Sequence, residues 1–375
     1  MAKVKVKISG KTRSYDKGVS IKDIANDLKK QGIIAATLND KLVDISVKVN
    51  KDSEIELIDF NSHEGKDVFH HSSAHVLAQA VLRVFPKAKL TIGPTVEGGF
   101  YYDVDVRPLN PEDLEKIETE MKKIVDEKLE IKKHIISKEK ALKLFKDNPY
   151  KKELIKELPA GEKISYYEQG EFKDLCRGPH VPHTRMIKSF KLTKISAAYW
   201  KGDSKNKSLQ RIYGVSFPDR KMLREFIRLQ EEAKKRDHRI IGKELDLFSF
   251  HEEGAGFPFW HDKGMIIWDG VMGYMKDLLR SKEYQEISTP IILNKDLWLK
   301  SGHWDHYKES MYFTTIDKVE HAVKPMNCPG GLLVYKNNVH SYRELPIKAG
   351  EFGLVHRHEM SGVLAGLFRV RSFTQ

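Results

Sequence analysis

The chain has 375 residues, 40% hydrophobic and 31% charged, a profile that favours two or three folded domains and excludes a fibrous or disordered chain. Its 65 Lys and Arg against 53 Asp and Glu give a formal charge of +12, which points to a polyanionic partner or to a well-solvated mixed-charge surface. No apolar run approaches the roughly 20 residues of a membrane span, and two cysteines without a signal-like leader argue for a reducing cytosolic setting and against a disulfide framework.

Residues 1–61 read as a small domain. Val4, Val6 and Ile8 alternate with lysines as in a half-buried strand, Ser9-Gly10-Lys11 is a turn, and Thr12 to Tyr15 returns as a second arm. Ser20 with Asp23 resembles a capping box ahead of Ile21, Ile24, Ala25 and Leu28 at helical spacing, with Gly32 past the helix end. Three strands follow, IIAATLN, LVDISVKV and EIELIDF. The order ββαβββ predicts a β-grasp module, an architecture that says little about function by itself.

Residues 62–218 read as one α+β domain. NSHEGKDV (61–68) is expected to be a polar linker, and Ser72–Phe85 a helix stopped by Pro86. TIGPTVEGGFYYDVD reads as strand–turn–strand. Asn110-Pro111 starts a helix with the stripe Leu114, Ile117, Met121, Ile124 and Val125. Residues 161–217 are strand-like, with turns at Gly170, Gly178-Pro179 and Gly202-Asp203. Residues 219–241 are a charged helical connector. From 242 a further domain begins, with a long apolar helix in GMIIWDGVMGYMKDLLRSK, a strand in EYQEISTPIIL carrying Pro290, and a strand–loop–strand over 351–375. There is no internal repeat.

Two groups of side chains carry chemistry. In the first, His71 and His75 share a helix face at i, i+4, and Cys176 and His180 lie in a Gly-Pro turn that can aim both inward. Together they make a plausible tetrahedral zinc set, or a set that holds and polarises a water for ester hydrolysis with histidine as general base. The plain alternative is two unrelated pairs. Asp174 and Arg177 flank the second half and could orient a histidine or bind phosphate. In the second group, Cys328 in KPMNCPG is expected at a strand end, as a metal ligand or equally as a small buried hydrophobe. Arg357 and Glu359 alternate with His356 and His358 on an expected strand, so both face one way, suited to a phosphate and an adenine amino group. Arg369 and Arg371 sit on the return strand with Phe373, an arginine–aromatic grouping that suits a purine, or is simply a charged hairpin.

At these residues the chain resembles the threonyl-tRNA synthetases, class II aminoacyl-tRNA synthetases, from Lys3 to Gln375. Residues 1–61 resemble the TGS domain. FHHSSAHVLAQAV and DLCRGPHVPHT are similar to the two editing-site signatures, KRDHRIIGKELDLF to the junction into the catalytic core, and YQEISTPIIL to motif 1. KPMNCPG resembles the zinc-cysteine segment, and EFGLVHRHEMSGVLAGLFRVRSFTQ motif 2. The resemblance implies a multidomain α+β fold: a β-grasp (TGS) domain (1–61), an α+β editing domain (62–218), a helical connector (219–241) and a partial antiparallel-sheet class II catalytic core (242–375). It implies threonine–tRNA ligase activity with ATP, Mg2+ and Zn2+, with threonine and tRNA(Thr) as partners, a homodimer, no membrane and a cytoplasmic location. Cys328 would be one ligand of a zinc that grips threonine, and Arg357 would contact the ATP α-phosphate during adenylation. Glu359 would contact adenine or the tRNA end, Phe373 would stack on adenine, and Arg369 would lie in the same loop. His71, His75, Cys176 and His180 would hydrolyse seryl-tRNA, by a water without metal in this family and with zinc in related alanyl-type domains. Such a site is needed because one missing methyl supplies only about 1–3 kcal/mol of discrimination.

Two departures from the family pattern stand out. Gly331 occupies a position that is usually His. The chain ends at Thr374-Gln375, ahead of motif 3, two further zinc ligands and the anticodon-binding domain, so it is expected to be a C-terminally truncated piece, incompetent for aminoacylation by itself. The competing readings are a stand-alone hydrolase of seryl-tRNA and a non-catalytic RNA-binding regulator using the β-grasp domain and the basic connector residues Lys234, Lys235, Arg236 and Arg239.

Overall fold

The alternation in KVKVKI becomes the strand Lys3–Ile8, whose Val4, Val6 and Ile8 are buried while the lysines between them are exposed. The computed structural model describes residues 2–159 and 161–375. They divide into two compact units, Met1–Arg228 and Leu229–Gln375.

In the first unit, Lys3–Ile8 pairs antiparallel with Lys11–Asp16 and parallel with Ser53–Ile58. Ser53–Ile58 pairs with Ala35–Leu38, and that strand with Lys41–Val43, giving a five-stranded mixed sheet. The helix Ile21–Asp27, capped by Ser20 on the Asp23 N–H at 3.1 Å, packs Ile21 and Ile24 against Val6, Ala36 and Ile55. This is the β-grasp arrangement. One expected strand differs. LVDISVKV does not run as one strand: it pairs over Lys41–Val43 and again over Lys48–Val49, with a turn from Asp44 to Val47 closed by the Val47 N–H on the Asp44 carbonyl at 3.1 Å. Asp44 leaves the ladder because its carboxylate is engaged elsewhere in the unit.

The expected polar linker is also different. Ser62 caps the Gly65 N–H at 3.0 Å, and a single helix runs from His63 to Val84. Its middle is buried on every side, which is why its hydrophobic pattern shows little one-sidedness. It packs on the helix Pro111–Asp126, whose Asn110 and Asp113 form a reciprocal capping box with Pro111 in the first turn. A sheet in the order Ser189–Tyr199, Ser208–Phe217, Gly99–Asp105, Lys89–Leu90 lies against the long helix, and a second sheet is made by Ile131–Ile136, Ile164–Gln169 and Phe172–Leu175. Phe69, Val76, Leu77, Phe100, Tyr102, Ile117, Met121 and Tyr167 share the core between them.

The second unit carries the helix Asp262–Ser281, a sheet of Ile292–Asn294, Val319–Val323 and Tyr312–Ile316, and the hairpin Leu354–His356 with Ser372–Thr374. The strand expected in EYQEISTPIIL is broken. Gln285–Glu286 pairs with Ala349–Gly350 and Ile292–Asn294 pairs with Val319–Val323, because Pro290 between them has no N–H to give a ladder. Among the described residues no helix is long and apolar enough to cross a membrane.

Candidate active site

The long helix brings His71 and His75 onto one face, with ring centroids 5.2 Å apart. The loop after the strand Phe172–Leu175 brings Cys176 and His180 to the same point. The Cys176 Sγ lies 3.4 Å from His71 Nε2 and 3.2 Å from His180 Nε2, and one nitrogen or sulfur from each of the four residues falls within 4.8 Å of the others. The two expected pairs therefore form one centre. His75 and His180 are buried, and His71 is partly buried at the rim.

Ser72 fixes the tautomer of His180. Its hydroxyl has one hydrogen, and the Val68 carbonyl oxygen at 2.7 Å can only accept it. The remaining lone pairs of Ser72 Oγ accept from the Val181 N–H at 3.0 Å and from His180 Nδ1 at 3.0 Å, so Nδ1 carries the proton. His180 Nε2 is left as a bare lone pair facing the sulfur. The Gly178 N–H also points at that sulfur, at 3.2 Å.

Burial keeps the imidazoles neutral. It pushes His71 below the ordinary histidine range, with the Asp174 charge working in the opposite direction, pushes His75 down to about 3, and holds His180 well below the ordinary range, with the neighbouring histidines adding to the effect. Burial likewise pushes the Cys176 thiol up to about 12. A thiol so held is a poor nucleophile by itself.

Behind His75 lies a buried polar group. Asp174 Oδ2 is 3.8 Å from His75 Nε2 and accepts from the Tyr102 hydroxyl at 2.5 Å, while Lys151 is ion-paired to Asp174 and donates to Tyr102 at 3.2 Å. Lys151 is 3% exposed and Asp174 2%. Burial, the largest single effect, would raise the Asp174 carboxyl, but the charge of Lys151, the neighbouring His75 and the bonds from Lys151 and Tyr102 together outweigh it and hold the group below its usual value, as an anion. Sequence reasoning singled out Asp174 and missed Lys151, Tyr102 and Ser72. Nothing in NPYKKEL marks which lysine turns inward.

The donor set fits a tetrahedral metal. Arms of about 2.0–2.3 Å give a tetrahedron with edges of about 3.5 Å, close to the sulfur–nitrogen separations of 3.2 and 3.4 Å.

The second group is arranged differently from the expectation. Cys328 is exposed, and it opens the helix Cys328–Lys336, with Pro329 in the first turn, rather than ending a strand. Among the described residues it is not gathered with two further His, Cys, Asp or Glu side chains, so the residues present do not make a zinc site there. The strand carrying Arg357 and Glu359 stops at His356. The Glu359 N–H turns back on the Arg357 carbonyl at 2.9 Å and the His358 N–H is taken by Ser310, so Arg357 and Glu359 do not alternate along a ladder. The guanidinium of Arg357 lies 5.0 Å from the Phe373 ring centre, and Glu359 is paired with Arg369 at 2.9 Å. Arg371 is bound to the carbonyls of Glu359 and Ala255 at 3.0 and 2.8 Å, an anchoring role that its place on the return strand did not indicate. Lys324, 1% exposed, was also missed; it pairs with Glu351 at 2.8 Å and donates to Thr289.

Residues 164–213 match the family described as "Threonyl and Alanyl tRNA synthetase second additional domain", and residues 312–375 the "tRNA synthetase class II core domain (G, H, P, S and T)". The first range contains Tyr167, Asp174, Cys176 and His180, and the second Cys328, Arg357, Glu359, Arg369 and Phe373. A threonine–tRNA ligase of Caldanaerobacter subterraneus subsp. tengcongensis is 55% identical over 98% of this chain and 58% of its own length. One of Carboxydothermus hydrogenoformans is 55% identical over 98% of this chain and 59% of its own length. The chain thus spans somewhat under two thirds of the curated relatives it matches. Among solved structures, the RNA binding domain of threonyl-tRNA synthetase from Cryptosporidium parvum Iowa II is 42% identical over 37% of this chain and 35% of that one, with a TM-score of 0.37.

Proposed function

Because the chain is a homologue of threonine–tRNA ligases along 98% of its length, we propose that it carries part of that enzyme's chemistry, with the His71, His75, Cys176 and His180 centre as a hydrolytic site for seryl-tRNA. The observation that carries this reading is the convergence of three neutral imidazoles and a thiol on one point, backed by the buried Lys151–Asp174–Tyr102 group. An imidazole that stays neutral at pH 7 can take a proton from a water attacking the aminoacyl ester. His71, at the rim, is the base. His180 presents its unprotonated Nε2 to the same water, and the ammonium of Lys151 keeps Asp174 charged behind His75. Were a zinc ion bound, three of these four residues would hold it and leave the fourth position for a water, whose ionisation near neutral pH is the chemistry it would supply.

The test is incubation of the protein with seryl-tRNA and with threonyl-tRNA. Loss of the seryl ester alone is expected, and His71→Ala with His75→Ala abolishes it while the circular dichroism spectrum is kept. Equal lifetimes of the seryl ester with and without protein would sink the reading. Metal analysis of the purified protein decides between water alone and zinc.

The whole enzyme's reaction is ATP-dependent activation of threonine followed by transfer to tRNA(Thr), with Mg2+ accompanying ATP. In that reaction Arg357 faces the α-phosphate and Phe373 stacks on adenine. Glu359 and Arg369 act as a pair beside the nucleotide, and Cys328 would be one zinc ligand in the whole enzyme, the described residues not completing such a site. The corresponding division is a TGS domain (1–61), an editing domain (62–218), a connector (219–241) and a class II core (242–375). A homodimer is supported by the apolar face of the helix Asp262–Ser281, where Ile266, Val271 and Tyr274 are 68, 58 and 68% exposed. The location is cytoplasmic.

A further inference from the structure

Asp44 opens the turn that follows the β-grasp strand Lys41–Val43, and its side chain reaches the back of the hydrolytic centre's loop. It is 9% exposed. Its Oδ1 accepts the backbone N–H of His180 at 2.9 Å, and its Oδ2 accepts the hydroxyl of Tyr167 at 2.7 Å. The Tyr167 ring in turn lies edge-on to the His180 imidazole, with centroids 4.4 Å apart. The same hydroxyl presses on Gly178, where a Cβ would come within 1.8 Å of it, and Gly178 gives its N–H to the Cys176 sulfur. The loop from Cys176 to His180 is therefore held from two directions: Ser72 of the long helix holds the imidazole, and the carboxylate of Asp44 holds the backbone and, through Tyr167, the ring edge.

We propose that Asp44 is a positioning residue of the hydrolytic centre, so that the β-grasp domain supplies part of the site rather than standing beside it. Asp44 touches none of the four reactive side chains' centre-facing atoms. It acts by fixing where His180 Nε2 and Cys176 Sγ stand. A carboxylate suits the task because both neighbours are donors and both of its oxygens accept. An amide of the same shape satisfies one donor and turns its own NH2 towards the other.

The experiment has two readouts, and only the first rests on the seryl-tRNA reading. In wild type, Asp44→Asn and Tyr167→Phe, seryl-tRNA hydrolysis is measured across substrate concentration, and the rate of Cys176 alkylation by iodoacetamide is followed by peptide mass spectrometry, which separates it from Cys328. Asp44→Asn is expected to lower kcat by about 10- to 100-fold with KM unchanged, and to raise the alkylation rate several-fold as the loop loosens. Tyr167→Phe changes both in the same sense and by less. If wild type leaves seryl-tRNA intact, the substrate reading falls and the alkylation rates alone judge the positioning claim. An Asp44→Asn alkylation rate equal to that of wild type overturns the proposal. Should Asp44→Asn lose its folded spectrum, Tyr167→Phe decides by the same criterion.

Discussion

Tyr102 gives its hydroxyl to Asp174 at 2.5 Å, inside a core where Lys151 neutralises the same carboxylate. Asp174→Asn leaves the Lys151 ammonium buried without a counter-charge, which costs about 3–5 kcal/mol. The double variant Lys151→Met with Asp174→Leu is expected to recover most of that stability without recovering hydrolysis. Urea unfolding of the three proteins checks this. A single variant as stable as wild type would show that the pair does not matter to folding.

The second unit has its own buried pair, Lys324 with Glu351, braced by Thr289, whose N–H and hydroxyl both go to Glu351 at 2.8 and 2.9 Å. Burial tends to raise the Glu351 carboxyl, but the bonds from Lys324 and Thr289 hold it below the usual range. Lys324→Met removes that support, and about 3–5 kcal/mol of stability is expected to go with it. A thermal melt followed by tryptophan fluorescence reads the change, since Trp298 is fully buried in this unit. An unshifted transition would count against it.

Gly178 has φ of +69°, and the Tyr167 hydroxyl stands 1.8 Å from where a β-carbon would be. Gly178→Ala adds both a left-handed strain and a collision, so a loss above the roughly 1 kcal/mol of simple αL strain is expected. Tyr167→Phe in the same chain removes the colliding oxygen and should return part of it. Chemical denaturation of the single and double variants gives the coupling, and strict additivity would refute the contact.

Arg83 binds Glu171 at 2.7 Å, and Glu127 and Glu120 at 2.6 and 3.2 Å; its bond to Glu171, helped by one from Gln79 and opposed by burial, holds Glu171 down to about 2 from an ordinary value near 4.5. A carboxyl depressed by folding contributes stability that is full above pH 4.5 and lost as pH falls towards 2. Wild type should therefore exceed Arg83→Met in urea midpoint at pH 5.5, by an amount that shrinks at pH 3.5. The pairs are exposed enough that the gap will be modest. A gap independent of pH would mean that Arg83 acts by packing alone.

Much of this was readable from local pattern. The alternation of Val4, Val6 and Ile8, the Asn110-Pro111 helix start and the i, i+4 spacing of His71 and His75 are each set by neighbours in sequence, and each is where the pattern puts it. The centre's second half was legible because Cys176 and His180 are uncommon residues beside a Gly-Pro turn. What escaped depends on partners far along the chain. Lys151 is one of many lysines until Asp174 faces it, and Asp44 sits in a run that alternates well enough to pass for a strand. The turn at His358 escaped as well, since it is set by the Ser310 carbonyl, a partner that local alternation does not reveal.

The helix His63–Val84 is separated by four residues from the last β-grasp strand and carries His71 and His75 in its third and fourth turns. Adding one residue to it ahead of His71 would swing everything upstream by about 100° around the axis and 1.5 Å along it. A flexible tether absorbs such an insertion, whereas this rod transmits it whole. Natural length variation between Ser62 and His71 should accordingly be suppressed, while the polar turns of the β-grasp sheet remain free to grow and shrink.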